Sequence, residues 1–329
     1  MATASGGRGV AASSDEPVRL YVGETLGRYG FPKDHPLGMD RQGVFFRETR
    51  ARGLDRRVQV IAAAEPASRA ALERFHTRTF VEKVASAERH GLDVLDHGDT
   101  PVFPGVFETS ASVVGAALDA LDSVVSGAVR RTFQPIGGLH HAGRDHAAGF
   151  CVFNDLGVVI ETLRSIHGIR RVAYVDIDVH HGDGVFYAFE DDADLIVADI
   201  HEDGRTLYPG TGDASETGRG VAAGSKLNIP LPAGSGDAAF LVAWGRVLAH
   251  LQRNPAAFYL VQCGADGLKG DPLAHLEYSP AIHSRVVRDL TLLANRQAGG
   301  RMMIFGGGGY HRPNLAAAWN NVLAALLVP

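Results

Sequence analysis

The stretch Val172-Ala-Tyr-Val-Asp-Ile-Asp-Val-His-His-Gly-Asp-Gly184 joins a short apolar run to a cluster of three carboxylates and two imidazoles. The β-branched run reads as a buried strand over residues 172–178, with the charges at its carboxyl end. Residues two apart in a strand point the same way, which sets Asp176, Asp178 and His180 on one face and leaves His181 and Asp183 at the tip. Burying that much charge is prohibitive without compensation, and a divalent cation held by carboxylate oxygen and imidazole nitrogen supplies it. The plain alternative is an acidic loop with solvated charges, which rarely follows a strand rich in Val and Ile.

Seven further apolar runs, at residues 19–23, 58–63, 133–136, 195–200, 227–230, 258–263 and 302–305, alternate with helical patterns. Such alternation predicts a parallel sheet with crossover helices. One helix follows Asn154 or Asp155 as its N-cap and shows Leu156, Val159, Ile160, Leu163 and Ile166 at helical spacing. A second starts at Asp237, with Phe240, Leu241, Trp244, Val247, Leu248 and Leu251 on its apolar face. The last follows Pro313 and shows Leu315, Ala318, Trp319, Val322, Leu323 and Leu326. No repeat or Pro/Ser-rich linker divides the chain, so residues 18–329 read as one domain behind an Ala/Ser/Gly-rich tail, residues 1–17, expected to be disordered.

The chain has 329 residues, 45% of them hydrophobic, enough to bury a large core. No window approaches the roughly 20 apolar residues of a membrane helix, and the N-terminus lacks the apolar centre of a secretory signal. Two cysteines in 329 residues point to a reducing cytoplasm rather than a disulfide framework. A net charge of -5 argues against a nucleic-acid surface. Fifteen histidines against eight tyrosines favour metal or proton-transfer chemistry. No feature of the sequence specifies an oligomeric state.

Three more segments join the Asp/His cluster, each just past an apolar run, where open parallel sheets form their binding crevice. His140 and His141 could serve a metal-bound water if carboxylates orient their outer nitrogens, for which Asp176 and Asp183 are the obvious candidates. That leaves Asp178 and His180 as ligands, and Asp266 offers a third; the other reading of Asp266 is a turn residue before glycine. Three protein ligands leave coordination open for substrate, the catalytic pattern. Gly306-Gly-Gly-Gly309 lacks the spacing of a phosphate loop and instead presents Tyr310, whose phenol could donate to a carbonyl oxygen as charge develops there. Alone, Tyr310 could equally be a packed aromatic.

Together these segments resemble the histone deacetylase superfamily, with its acetylpolyamine amidohydrolases and acetoin-utilisation deacetylases. The matching stretches are Gly138-Leu-His-His-Ala142, Gly149-Phe-Cys-Val-Phe-Asn-Asp155, Asp176-Ile-Asp-Val-His-His-Gly-Asp-Gly184, Tyr208-Pro-Gly-Thr-Gly-Asp213, Gln262-Cys-Gly-Ala-Asp266 and Gly306-Gly-Gly-Gly-Tyr310. The resemblance implies a three-layer α/β fold, a central, mostly parallel eight-stranded sheet flanked by helices. It implies that Asp178, His180 and Asp266 bind zinc, with ferrous iron as the alternative. His140 and His141 would be the acid/base pair, with Asp176 and Asp183 behind them, and Tyr310 would polarise the scissile carbonyl. Phe150 and Tyr208 match the aromatic walls of the acyl-lysine tunnel, the second more usually Phe. Asp99 matches an acidic rim residue that grips the substrate backbone, and Arg41 one lining the acetate-release channel.

Two positions depart from the family pattern. Asp199 stands where a Ser commonly helps bind a structural monovalent cation such as potassium, two residues before the matching His201. Leu273 stands where polyamine-specialised deacetylases place an acidic gatekeeper, which tilts the reading away from acetylpolyamines. The leading expectation is a zinc-dependent amidohydrolase acting on acetyl-lysine or a small acetylated amine. Its alternatives are an arginase-like ureohydrolase with two manganese ions, disfavoured by Gly264 where arginases have a further Asp, and a catalytically silent acetyl-ligand binding protein.

Overall fold

The computed structural model describes residues 17–32 and 35–328; the expected disordered tail, save its last residue, lies outside the described residues. All eight apolar runs form strands: β1 (Val18–Tyr21), β2 (Gln59–Ile61), β3 (Arg131–Gln134), β4 (Val172–Asp176), β5 (Leu195–Glu202), β6 (Lys226–Leu231), β7 (Phe258–Gln262) and β8 (Met302–Phe305). They make one sheet in the order β2-β1-β3-β8-β7-β4-β5-β6. Its pairings are parallel throughout, beyond the mostly parallel sheet expected.

Each central strand divides its side chains between two cores. In β4, Val172 and Tyr174 pack into one and Ala173 and Val175 into the other; in β7, Phe258 and Leu260 oppose Tyr259 and Val261. Strands covered on both faces read as unbroken apolar runs, which is why the sequence shows no polar alternation there. Helices Val106–Val125 and Asp155–Ser165 cover the first face. Asp237–Arg253, Ala281–Gln297 and Arg312–Leu326 cover the second, giving three layers.

Asn154 is the N-cap of the helix Asp155–Ser165, its side-chain oxygen accepting the Gly157 N–H at 2.8 Å. That helix stops before Ile166, which is 59% exposed rather than on the apolar face expected, and Leu241 likewise points outward from its helix. The backbone N–H of Asn154 in turn donates to Nε2 of buried His76 at 2.9 Å. Burial lowers the His76 imidazole to about 3, so it is neutral in the fold and binds a proton near pH 6.5 once unfolded. Stability from this group is therefore full above about pH 6.5 and falls by about 1.4 kcal/mol per unit as pH drops towards 3. Denaturant titrations from pH 7 to pH 4 should show that decline, and His76→Gln should flatten it; an unchanged slope would assign the acid lability elsewhere.

The carboxyl ends of β3, β8, β7 and β4 lie side by side at the middle of the sheet. Loops leaving them bring together His140, Tyr310, Asp266 and Asp178 from remote parts of the sequence. This is the place where parallel sheets open a crevice.

Candidate active site

β4 ends at Asp176, two residues before the strand end expected. The spacing of two persists beyond it through side-chain turns rather than through a pleat: Asp176 Oδ1 accepts the Asp178 N–H at 2.9 Å, and Asp178 Oδ1 accepts the His180 N–H at 3.1 Å. Asp178, His180 and Asp266 converge, with a potential ligand atom from each within 4.8 Å of the others. His180 Nδ1 lies 3.2 Å from Asp178 Oδ1 and 3.3 Å from Asp266 Oδ2. The backbone N–H of Gly308 holds Asp178 Oδ2 at 2.8 Å, and that of Val179 holds Asp266 Oδ1 at 3.1 Å.

Asp266 Oδ2 is buried without a hydrogen-bond donor. Burial and the Asp178 charge raise the Asp266 carboxyl to about 6. Burial opposes a charge on His180, yet the adjoining Asp178 and Asp266 carboxylates outweigh it and raise the imidazole to about 10. The cluster thus demands positive charge between its carboxylates, and an oxygen/nitrogen donor set with an orphaned carboxylate oxygen fits a divalent cation. Glycine is needed on two sides: a Cβ at Gly308 would fall 1.9 Å from Asp266 Oδ2, and one at Gly264 2.1 Å from Asp178 Oδ2.

Both histidines of the adjacent pair are buried, their rings 4.1 Å apart. His140 Nδ1 meets Asp176 Oδ2 at 2.8 Å and His141 Nδ1 meets Asp183 Oδ1 at 2.6 Å, the dyads expected from the sequence. With Nδ1 engaged, each Nε2 is the free nitrogen, and that of His140 lies 3.8 Å from Asp178 Oδ1. Burial, followed by the neighbouring His140, lowers the His141 imidazole. Burial together with Asp199 and Asp178 pushes the Asp176 carboxyl well above its ordinary range, and the Tyr174 hydroxyl donates to it.

Above the cluster opens a cavity of about 200 Å³, lined by His141, His180 and Tyr310 at its base. Phe150, Tyr208, Leu273 and Asp99 line it as well, beside Gly149 and Leu207, so the four residues expected to meet substrate share one space. Asp99 is exposed, Leu273 half-buried. Below lies a void of about 20 Å³ beside Leu37, Cys151 and Gly307, room for about one water. A larger surface groove, about 480 Å³ beside Phe46 and Val60, includes no such cluster.

Arg41 is buried and donates to the carbonyls of Gly309 at 3.0 Å and Gly307 at 2.5 Å, bracing the glycine loop before Tyr310. Asp199 gives Oδ1 to His201 Nδ1 at 2.7 Å and Oδ2 to the Gly182 N–H at 3.0 Å, so both oxygens already meet protein donors. Several supporting residues escaped the sequence reading. Asp155, weighed only as a helix cap, accepts the N–H groups of Gly138 and Leu139 and so shapes the turn into His140. Asp271 accepts the Tyr310 and His311 N–H groups on Oδ2 and that of Leu273 on Oδ1, tying the phenol loop to the rim. Asp155 ends the matching stretch Gly149–Asp155, whereas Asp271 lies outside every matching stretch, and neither carries a local signal of the N–H groups it accepts.

Comparison with known proteins finds relatives in both sequence and structure. The chain is 38% identical over 259 residues to the acetoin utilization protein AcuC of Bacillus subtilis, covering 74% of this chain and 65% of that protein. With histone deacetylase 14, chloroplastic, of Arabidopsis thaliana it shares 35% identity over 237 residues, 70% of this chain and 56% of the relative. The chain thus spans less than two thirds of the length of these relatives. The crystal structure of an HDAC homolog complexed with SAHA superposes with a TM-score of 0.84 at 32% identity, over 95% of this chain and 84% of that one. The family model for the histone deacetylase domain matches residues 35–326, which include every loop that builds the site. With the fold, the loops and that match in agreement, the chain belongs to the histone deacetylase domain family.

Proposed function

We propose that the chain hydrolyses the amide of an acetylated amine, an acetyl-lysine side chain or a small acetylated amine, with zinc or alternatively ferrous iron held by Asp178, His180 and Asp266. The observation that carries the reading is the convergence of those three side chains, with His180 reaching the base of the cavity, beside two imidazoles each backed by a carboxylate. When bound, the metal supplies Lewis acidity towards the carbonyl and water. Burial and His140 keep His141 neutral, suited to take a proton from water at Nε2; Asp183 then stabilises the imidazolium that returns a proton to the departing amine. Burial raises the Tyr310 phenol well above its usual value, so it stays protonated and donates to the carbonyl oxygen as charge develops.

Phe150 and Tyr208 would flank the acyl-lysine side chain, Asp99 would accept from the substrate's N–H groups at the rim, and Arg41 would border the acetate exit. A monovalent cation such as potassium would find buried carboxylate in Asp176, although Asp199 is already paired with His201. Buried, unpaired Cys151 and Cys263 suit a cytoplasmic setting, and no helix among the described residues is long and apolar enough to cross a membrane. The binuclear alternative loses ground because a side chain at position 264 would collide with Asp178.

The test is acetate release by zinc-loaded and iron-loaded protein from acetyl-lysine peptides and small acetylated amines, with metal content measured in parallel. Turnover with about one metal per chain is expected. Tight hydroxamate binding without turnover on any substrate would favour the silent binding protein, and two tightly held manganese ions the arginase-like enzyme.

A further inference from the structure

Asp99, the carboxylate at the cavity mouth, belongs to the turn of a short hairpin. Val94 bridges Pro101 in antiparallel fashion, the Leu95 N–H donates to the Thr100 carbonyl at 2.9 Å, and the Val102 N–H to that of Asp93 at 2.9 Å. Residues 96–99 close the turn, with Gly98 at φ 138°, a conformation that L side chains rarely adopt. A bend this tight points its N–H groups inward, where they need an acceptor.

Asp96 is that acceptor. Its Oδ1 takes the N–H groups of Gly98, Asp99 and Thr100, each at 2.9 Å. Its Oδ2 accepts the hydroxyl of buried Thr100 at 2.5 Å, and Thr100 Oγ1 in turn accepts the Phe150 N–H at 3.1 Å. Burial opposes the Asp96 charge, yet the Thr100 hydroxyl and the turn's N–H groups outweigh it and hold the carboxyl below its ordinary range. One half-buried carboxylate therefore fixes the turn from inside and seats it on the cavity wall, while Asp99 beside it stays exposed.

The neighbours of Asp99 at the mouth are Phe150, Leu207, Tyr208 and Leu273, which offer a distant ammonium group no second anion. The two oxygens of a fixed carboxylate suit a pair of N–H groups instead, as a peptide backbone carries next to an acetylated residue. An acceptor ordered during folding need not be ordered again on binding. We propose that Asp96 is a positioning residue that preforms the Asp99 turn, and that this preformed acceptor selects acetylated peptides over acetylated amines without backbone N–H groups. The inference rests on the deacetylase reading above and names the substrate class of the same site. Without Asp96 the turn loosens, peptide binding weakens, and the chemistry at His141 and Tyr310 is left as it was.

The measurement is kcat/KM of the zinc-loaded enzyme on an acetyl-lysine peptide and on its analogue with ester oxygens in place of the backbone N–H groups of acetyl-lysine and the next residue. The peptide-to-ester ratio does not depend on how much enzyme is folded, so lost stability alone leaves it unmoved. Asp96→Ala should lower that ratio roughly tenfold through a higher KM for the peptide, with kcat within about twofold of the parent. Asp96→Asn keeps an acceptor for the turn and should stay within about threefold. In an Asp99→Ala background, Asp96→Ala should change the ratio no further. An unchanged ratio in Asp96→Ala overturns the proposal, as does an Asn variant no better than the Ala variant or a further fall in the Asp99→Ala background. No acetate release by the parent from either substrate overturns the deacetylase reading and this inference with it; release with a parent ratio near one overturns the inference alone.

Discussion

Tyr310→Phe is expected to lower kcat on an acetyl-lysine peptide by about 10²–10³-fold, with KM and metal content nearly unchanged, the usual loss for one donor to a developing oxyanion. The substitution is clean because the residue is held by its backbone and ring rather than its hydroxyl. Its N–H is fixed by Asp271 at 2.8 Å, its loop is braced by Arg41, and its ring packs against Phe150. Phenylalanine keeps all of these and loses only the donor. A fluorogenic peptide assay under saturating substrate measures the effect, and undiminished turnover would remove Tyr310 from the chemistry.

Removing a metal ligand should have the largest effect of all. Asp266→Ala is expected to bring hydrolysis to background and metal content far below one ion per chain. The parent is expected to gain Tm on adding zinc, a stabilisation of about 4 kcal/mol when free metal exceeds its dissociation constant a thousandfold, and the same variant should lose that gain. The physical ground is the orphaned Asp266 Oδ2 facing His180 and Asp178, all three buried. Chelator treatment of the parent should reproduce the loss, and zinc should reverse it there and not in Asp266→Ala. A variant that still binds one zinc tightly would contradict the assigned donor set.

The elements that announced themselves in sequence are those with local signatures. Eight apolar runs marked the strands, the central ones because a strand buried on both faces needs apolar residues throughout, and Asn154 marked a helix start. Charges crowded after those runs marked the site, since only a binding or catalytic role offsets their desolvation. What stayed hidden depends on contacts between distant residues. The hydrogen bond from Tyr29 to Phe150 spans 121 positions, and that from Arg41 to Gly309 spans 268. Nor did a motif show that Asp155 and Asp271 serve backbone N–H groups, because an aspartate in a loop has the same appearance whatever it accepts. The end of β4 was misplaced for a related reason: side-chain turns at Asp176 and Asp178 prolong a strand-like spacing after the strand has stopped.

The position of β8 has a consequence for how the protein is made. The last strand in sequence sits between β3 and β7, with Arg131 paired to Met302 on one side and Tyr259 to Met302 on the other. Half-sheets formed before residues beyond 300 are available would carry open hydrogen-bonding borders at β3 and β7. Such borders recruit other strands readily. Pairing of β8 with both neighbours would close those borders and, in the same step, bring the loop bearing Tyr310 to the site.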